Sequence, residues 1–359
     1  MLAATLAEAM RRIEPDLQFY GIGAGRMEAA GFRLMARTNG WASLGPLEAI
    51  RRIVPLLFVG WKIFFRLFLE RPALTVFVDF GALNLRVAKT LRRFRYPGPV
   101  LYYFPPGAWL DRPSQARAVA FCSRPLTAFE HQRDFYHALD LPIAYFGHPL
   151  NSLVEPRSAR PPVPPDGGTV ALLPGSRQGE IQRHAARLFE ACALLRASRP
   201  ALDVIVSAAD ADCERLLREA MRRTGFEATI ARGARPALDA ADAAFIASGT
   251  AVLEAALREV PSVALYVVSK AQAKIARRIW PHRFITLPNI LLGREVVREL
   301  HQDDATPQAL AAALEPLLRD PGPAIAALRE VRAALGPHDA LERCAEYALE
   351  LARGGTPRC

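Results

Sequence analysis

The feature that most restricts the possible folds is a repeating pattern between residues 169 and 267, where short apolar runs alternate with segments of helical spacing. The apolar runs have the length of strands, and the segments between them have the length of helices. Repeated strand–helix units predict a parallel sheet covered by helices on both faces. The expected strands are 170–173, 202–207, 228–231, 243–247 and 262–267, and the clearest helices are 180–197 and 213–224.

A proline-rich stretch precedes this pattern and divides the chain. Five prolines and two glycines fall within residues 155–168, which is typical of a stiff linker. The chain of 359 residues is also too long for one ordinary core, so two domains are expected. We therefore predict an N-terminal domain at 1–154, a linker at 155–168, and a C-terminal domain at 169–359 whose last stretch, 307–353, is helical.

The N-terminal part has similar elements in a less regular order. Residues 2–12 have the spacing of an amphipathic helix, an unusual start because the first element of an α/β domain is usually a strand. The glycine-containing segment 21–27, GIGAGRM, is interpreted as a connecting loop. We expect strands at 17–20, 73–80, 100–104, 118–122 and 143–146, and helices at 84–95 and 129–139.

Charge and cysteine content limit the classes of partner. The net charge of +10 and the pI of about 9.8 favour phosphates, nucleic acid or acidic lipid. No groove-reading motif or stacking platform is present, so nucleic acid is not expected as a partner. The five cysteines are scattered without a C-x-x-C pair, which predicts neither a zinc site nor a disulfide framework and fits a reducing cytoplasm.

Residues 47–69 form an unusually apolar stretch, in which Trp61, Phe64, Phe65 and Phe68 lie close together. A membrane-spanning helix needs roughly 20 mostly apolar residues, and the uncharged run from 53 to 61 is too short. Two interpretations stay open. The stretch is either a helix buried in the core or a helix in the membrane interface, with aromatic side chains inserted and cations at the headgroups.

The strongest local motif is the segment 173–180, LPGSRQGE, which lies between an expected strand and an expected helix. A small turn containing Gly175 and Ser176 lets backbone N–H groups face an anion at a positively polarised helix start. Arg177 adds a guanidinium suited to phosphate oxygens. We therefore predict an anion site here, in preference to an ordinary strand–helix turn.

A second motif, ASGTAVLE at 247–254, has the same position after a strand. Ser248, Gly249 and Thr250 would form a second phosphate-sized cradle, as a diphosphate requires, although Ser248 or Thr250 would also serve as a helix cap. Glu254 lies one helical turn further, where its carboxylate could hold ribose hydroxyls. A third motif, LPNILLGRE at 287–295, contains Asn289 and has no assignment on physical grounds alone.

Together these three segments closely resemble the C-terminal half of lipid-A-disaccharide synthases. The segment at 21–27 is similar to that family's G-I-G-G-P-R-M, and FGHPL at 146–150 is similar to its V-G-H-P-L. The resemblance follows the chain in order and is most specific in the C-terminal half. It implies the glycosyltransferase B fold, an α/β fold of two Rossmann-like domains that face each other across a cleft.

The resemblance also implies an inverting transfer from UDP-2,3-diacylglucosamine to 2,3-diacylglucosamine 1-phosphate, without a metal or other cofactor. It implies donor binding by Gly175, Ser176, Arg177, Ser248, Gly249, Thr250, Glu254 and Asn289. The stretch 47–69 matches the family's membrane-associated region, so a peripheral position on the cytoplasmic side of the inner membrane is expected. The oligomeric state does not follow from the sequence.

Asp79 is the candidate general base or base-orienting residue. It matches the first aspartate of the family's I-D-A-P-D-F-N motif and ends an expected strand. A buried structural aspartate is the competing interpretation. Arg177 and the loop that begins at Ser248 would stabilise the departing diphosphate.

Three departures from the family affect the N-terminal domain. Ala82 replaces the motif's second aspartate, although Asn84 is retained, and YYFPPGAWLDR at 102–112 lacks the family's small hydroxyl residues. The family's first strand and its G-E-x-S-G-D loop are not found. We expect that Met1 is an internal methionine of a longer reading frame, and that an upstream strand and loop would be found by extending it.

These departures motivate alternatives of different classes. One is a paralogue that binds a UDP-sugar but has lost or changed its acceptor. Another is a UDP-sugar epimerase of the same fold, which would release UDP and an altered sugar without an acceptor. A nucleic-acid-binding protein is suggested by charge alone.

Overall fold

A computed structural model describes most of the chain as two compact units. The described residues are 1–23, 25–37, 53–107, 112–158, 161–247, 249–269, 272–273 and 283–355. The first unit comprises Met1–Ser152 together with Gly336–Cys359, and the second is Leu153–Leu335. The last helix, Ala340–Ala352, therefore belongs to the first unit, whereas the sequence assigns it to the second domain.

The first unit contains six described strands and eight described helices. The strands are β1 (Tyr20–Gly23), β2 (Arg33–Arg37), β3 (Thr75–Val78), β4 (Val100–Tyr103), β5 (Arg124–Thr127) and β6 (Ala144–Tyr145). The helices are α1 (Leu2–Ile13), α2 (Gly25–Ala29), α3 (Ile53–Glu70), α4 (Gly81–Arg93), α5 (Pro113–Cys122), α6 (Glu130–His137), α7 (Leu150–Leu153) and, near the C-terminus, α15 (Ala340–Ala352).

A four-stranded parallel sheet in the order β3-β4-β5-β6 forms the centre of this unit, and β1 pairs with β2 in a separate parallel ribbon. Alternate strand residues point to opposite faces. On one face, Leu101 and Tyr103 pack against α1 and α15. On the other, Phe77 and Tyr102 pack against α3, α4 and α5. The returning C-terminal helix thus covers sheet surface that would otherwise face water.

The second unit contains the remaining elements. Its strands are β7 (Gly167–Leu173), β8 (Ala201–Ala208), β9 (Thr229–Arg232), β10 (Ala243–Ala247), β11 (Ser262–Tyr266) and β12 (Arg298–His301). Its helices are α8 (Gln178–Ser198), α9 (Ala211–Thr224), α10 (Ala234–Ala240), α11 (Thr250–Leu257), α12 (Leu287–Leu292), α13 (Pro307–Arg319) and α14 (Gly322–Ala334), with a 3-10 turn at Gln302–Asp304.

All six strands of the second unit are parallel, in the order β12-β11-β10-β7-β8-β9. From β7 the chain adds β8 and β9 on one side of the sheet and then β10, β11 and β12 on the other side, so the strand order reverses between β7 and β10. This is the strand order of dinucleotide-binding folds, and the gap at the reversal is where such sheets bind ligands. Helices α8, α9 and α13 share one core with the strands.

Two sequence expectations about local elements are wrong. Residues 118–122 belong to helix α5, and the strand follows it at Arg124–Thr127. The segment 21–27 contains the end of β1 and the start of α2 and is not a plain loop. The proline-rich segment is anchored to the second unit, because Arg199 Nη1 donates to the carbonyl oxygens of Pro164 and Gly167 at 3.0 and 3.1 Å.

Candidate functional site

The two predicted anion loops leave the sheet side by side. Strands β7 and β10 are hydrogen-bonded neighbours, and Leu173 pairs with Ile246 at their carboxyl ends. The loop 174–177 follows the first of these strands, and the loop that leads to α11 follows the second. Both therefore lie at the point where the strand order reverses, the expected ligand position in an open α/β sheet.

Gly175 gives the first loop its shape. Its φ of +113° lies in the region that favours glycine, and a Cβ at this position would come within 2.5 Å of Glu180 Oε2. Ser176 and Arg177, which follow it, are exposed. The loop thus brings the backbone close to the start of α8 and leaves the neighbouring residues open to solvent.

The carboxylate of Glu180 occupies the anion position of this loop. Glu180 Oε2 accepts hydrogen bonds from the backbone N–H groups of Ser176 and Arg177 at 3.1 and 3.3 Å. Arg177 Nη1 donates to Glu180 Oε1 at 2.7 Å. The contacts have the form of a capping interaction at a helix start. They also show that the loop and Arg177 together hold an oxyanion.

Two buried side chains that the sequence did not single out fix the position of the loop. His184, nearly two turns inside α8, forms hydrogen bonds with Pro174 O at 2.8 Å and with the backbone N–H of Val267 at 3.3 Å. Burial lowers the pKa of His184, so the neutral ring connects the loop after β7 to the chain after β11. Cys213 Sγ lies 3.6 Å from Ser176 O and adds a contact from α9.

In the second loop, Gly249 is the N-cap of α11, and no side chain of a described residue caps this helix start. Gly249 and Thr250 are exposed, and Ser248 lies outside the described residues. The capping role considered for Thr250 is therefore not observed. Glu254 is half-buried, and its Oε1 lies 3.9 Å from Nε of the buried Arg258.

Asn289 is a correction to the predicted site, because its side chain is fully buried and used within the protein. Its Nδ2 donates to Val297 O and Glu299 Oε1 at 2.7 and 2.8 Å. Its Oδ1 accepts from the N–H groups of Val296 and Val297 at 2.7 and 2.9 Å. Two donors and two acceptor positions complete the capacity of an amide, so the side chain has none left for a ligand.

Glu299 completes this internal network. Its carboxylate accepts from Thr286 Oγ1 at 2.7 Å, from Thr286 N at 3.0 Å and from Ile285 N at 2.9 Å. Burial acts to raise the pKa of Glu299, but hydrogen bonds from His301, Thr286 and Ile285 outweigh it and lower the pKa to about 2. The segment 285–299 is therefore closed around a buried carboxylate.

Asp79 follows β3 at the carboxyl edge of the first sheet and is exposed. The interpretation as a buried structural aspartate is therefore wrong. Asp79 and Phe80 have φ values of +48° and +41°, a conformation that is unfavourable for residues with a side chain. The exposed carboxylate thus stands on a strained backbone at the end of a strand.

Asn84 and Tyr102 hold that backbone in place. Asn84 Nδ2 donates to Asp79 O at 2.9 Å and to Val78 O at 3.1 Å, and the Tyr102 hydroxyl donates to Asp79 O at 3.0 Å. These contacts give Asn84, which is shared with the family motif, a positioning role. The signal was present in the sequence, since Asn84 lies one turn into the helix that follows Asp79.

Helix α3 has one buried face and one exposed face. Phe64 and Leu67 are buried in the first unit, whereas Phe58, Trp61, Phe65 and Leu69 are exposed. The exposed fractions of these four are 71, 52, 58 and 82%. The buried-core interpretation therefore holds for one face of this helix, and the membrane-interface interpretation stays a prediction for the other face. Residues 47–52 lie outside the described chain. Among the helices of the described residues, none has the length and apolarity to span a membrane.

Comparison with known proteins agrees with these observations. The family model described as lipid-A-disaccharide synthetase matches residues 1–334. A lipid-A-disaccharide synthase of Azotobacter vinelandii is 35% identical, over 98% of this chain and 95% of the relative. The enzyme of that name from Myxococcus xanthus is 34% identical, over 97% of this chain and 94% of the relative.

Solved structures support the fold. The S. aureus MnaA–UDP co-structure has a TM-score of 0.65 at 11% identity and covers 99% of this chain and 95% of its own. The UDP-GlcNAc 2-epimerase of Neisseria meningitidis, bound to UDP-GlcNAc, has a TM-score of 0.62 at 9% identity and covers 97% of both chains. At such identities the likeness extends to architecture alone. The family match and the close relatives go further, and the chain belongs to the lipid-A-disaccharide synthase family.

Proposed function

We propose that this glycosyltransferase joins UDP-2,3-diacylglucosamine to 2,3-diacylglucosamine 1-phosphate. In this reaction the 6-hydroxyl oxygen of the acceptor forms a bond to the anomeric carbon of the donor, while the bond from that carbon to UDP breaks. The products are a β-1,6-linked disaccharide precursor of lipid A and UDP. The observation that carries the proposal is the pair of loops on neighbouring strands β7 and β10, in a chain of this family.

The donor diphosphate would bind across these two loops. Ser176 and Arg177 offer backbone N–H groups and a guanidinium that already hold one carboxylate, and Gly249 and Thr250 begin the neighbouring helix. A helix start and a guanidinium both stabilise negative charge as it develops on the leaving diphosphate. Glu254, one turn along α11, is our candidate for the ribose hydroxyls.

Asp79 would remove the proton from the acceptor 6-hydroxyl as that oxygen attacks. Its carboxylate is exposed at the edge of the first sheet, and Asn84 and Tyr102 fix the peptide that carries it. A fixed, accessible carboxylate meets the positional requirement for a general base. Proton removal by Asp79 would assist the attacking oxygen, and charge stabilisation by Arg177 would assist the leaving diphosphate.

The exposed stripe of α3 would place the protein on the cytoplasmic side of the inner membrane, a position suited to substrates that carry acyl chains. Phe58, Trp61, Phe65 and Leu69 follow one another at intervals of three or four residues, so they share one face of the helix. Aromatic and aliphatic side chains in this arrangement insert into the boundary between headgroups and acyl chains.

The test is a transfer assay with labelled donor and unlabelled acceptor, in which the disaccharide and UDP are both measured. We expect disaccharide that depends on the acceptor. For Asp79→Asn we expect kcat to fall by roughly 10²- to 10⁴-fold with UDP affinity unchanged, as for loss of a general base. UDP binding without disaccharide would support the paralogue, and release of UDP with an altered sugar and no acceptor would support the epimerase.

A further inference from the structure

A second feature of the first unit is a cluster of cationic side chains at the opposite end of helix α4 from Asp79. Residues 81–124 contain eight cationic side chains and a single acidic one, Asp111. Helices α4 and α5 bring four of the cations to one surface cavity of about 610 Å³, which we name the basic pocket. Its lining includes Lys89, Arg92, Arg93, Arg117 and Phe121.

The basic pocket combines a cationic rim with an apolar wall. Phe121 is 67% exposed, and the guanidinium carbon of Arg92 lies 4.9 Å from the centroid of its ring. The buried thiol of Cys122 lies beneath. Burial raises the pKa of Cys122, whereas the positive charges of the nearby Lys89 and Arg92 act to lower it. Such a surface suits a ligand with a negative group attached to apolar atoms.

The four cations of the basic pocket have no carboxylate partner among the residues that the structure describes. Other arginines of this unit are paired: Arg133 contacts Glu130 and Asp134 at 2.8 Å, and Arg66 contacts Glu70 at 2.6 Å. Like charges gathered on two adjacent helices repel one another unless an anion lies between them. Repulsion among these cations therefore raises the free energy of the protein without a ligand, and a bound phosphate would reduce that repulsion.

The basic pocket is remote from Asp79. Helix α4 begins at Gly81, just after Asp79, and its cations Lys89 to Arg93 lie roughly 12 to 18 Å further along the axis, at a rise of 1.5 Å per residue. They are near the edge of the sheet where the strands begin. The basic pocket is thus separate from the candidate general base.

The neighbouring surface identifies the class of ligand. Phe94, which follows α4 and is 54% exposed, packs against Phe64 of α3 with 5.2 Å between ring centroids. Phe64 in turn contacts Trp61 and Phe65 of the exposed stripe, with 5.7 and 5.6 Å between ring centroids. Helix α4, which carries three cations of the basic pocket, therefore lies next to the helix that carries the stripe. We propose that the basic pocket binds the phosphate of an anionic membrane phospholipid, whose glycerol and first acyl carbons lie against Phe121. This inference rests on the membrane association in the proposed function.

The test uses the full chain and vesicles of phosphatidylglycerol mixed with phosphatidylcholine, compared with phosphatidylcholine alone. Arg92→Ala/Arg93→Ala should weaken binding to the anionic vesicles by roughly 30-fold, since each cation near an anionic surface contributes about 5-fold. Binding to neutral vesicles should stay within about 2-fold, because the stripe of α3 remains. Inorganic phosphate at millimolar concentration should not displace the protein, because it lacks the apolar part.

The matched control is Arg222→Ala/Arg223→Ala on α9 of the second unit, which removes the same charge from another exposed helix end. It should bind anionic vesicles like the wild type. Equal losses for both double variants, or no loss for Arg92→Ala/Arg93→Ala, would overturn the basic pocket as a lipid site. Absence of wild-type binding to either vesicle would overturn it too. Transfer activity in detergent, which needs no vesicle, tests the proposed function separately.

Discussion

Two segments of the second unit differ in a way that their sequences conceal. Residues 173–180 and 286–299 both carry polar side chains around turns that contain glycine or proline, and the sequence predicts donor binding for both. In the first, Ser176 and Arg177 are exposed and hold a carboxylate at the sheet edge. In the second, Asn289 is fully buried and saturated with internal hydrogen bonds. One segment presents its polar groups to a ligand, and the other uses them to fold.

The largest expected effect is on stability, in the internally bonded segment 286–299. Asn289→Leu should lower the free energy of unfolding by roughly 3–5 kcal/mol, because Glu299 and two backbone N–H groups lose a buried partner. Urea denaturation followed by circular dichroism measures this. At low temperature, where the variant remains folded, its UDP affinity should match the wild type within about 2-fold. A stable variant that no longer binds UDP would reverse the assignment of this segment.

The second largest effect should be a loss of stability in acid, which acts on segment 286–299 through Glu299. The pKa of Glu299 is lowered to about 2 in the folded protein, so its stabilisation is complete above the higher pKa of the unfolded chain and is lost as the pH falls through 2. Between pH 5 and pH 2 the wild type should lose about 3 kcal/mol more unfolding free energy than Glu299→Gln. Parallel pH curves for the two proteins would show that this carboxylate is not held as described.

Substitution in the exposed segment 173–180 should change UDP affinity and leave the free energy of unfolding nearly unchanged. Arg177→Ala should weaken UDP binding by roughly 10- to 100-fold, the loss of one charge-assisted contact to phosphate. Its unfolding free energy should change by less than about 0.5 kcal/mol, because the side chain is half exposed. Isothermal titration measures the affinity. Arg187→Ala on the same helix is the control and should bind UDP normally, whereas equal losses would point to a general effect of charge.

The smallest effect should be a gain. Glu180→Gln removes the carboxylate that pairs with Arg177, so the diphosphate would no longer compete with it. UDP affinity should rise by about 2- to 5-fold, in keeping with the small free energy of a partly exposed ion pair. Titration against the wild type decides the point. Weaker binding by Glu180→Gln would mean that the carboxylate shapes the loop and does not compete for it.

The sequence predicts the alternating units of residues 169–267 well, because each strand and helix there has its own period and its own turn. It fails where the local signal is ambiguous. Residues 118–122 are a short apolar run that suits either element, and Pro113 at the start of α5 was the better indication of a helix. Pro125 then weakens the signal of the true strand β5.

Tertiary relations are not encoded in any local pattern. The spacing of α15 shows an apolar face but does not show which sheet that face covers. In the site, Gly175 and Arg177 could be found because loop position and chemistry coincide, whereas the inward direction of Asn289 depends on Glu299, ten residues away. The sequence does not indicate a role for His184, because the residues around it in the chain form no recognisable motif. Its contacts with Pro174 and Val267 exist only in the folded protein.

The division of the chain into an interrupted unit and a continuous one has a consequence for its synthesis. Residues of the continuous unit, Leu153–Leu335, emerge from the ribosome as an unbroken block that contains all six strands of its sheet. The interrupted unit begins earlier but cannot cover Leu101 and Tyr103 until α15 has emerged. The half of the protein that is made second is therefore the first able to complete its core during translation.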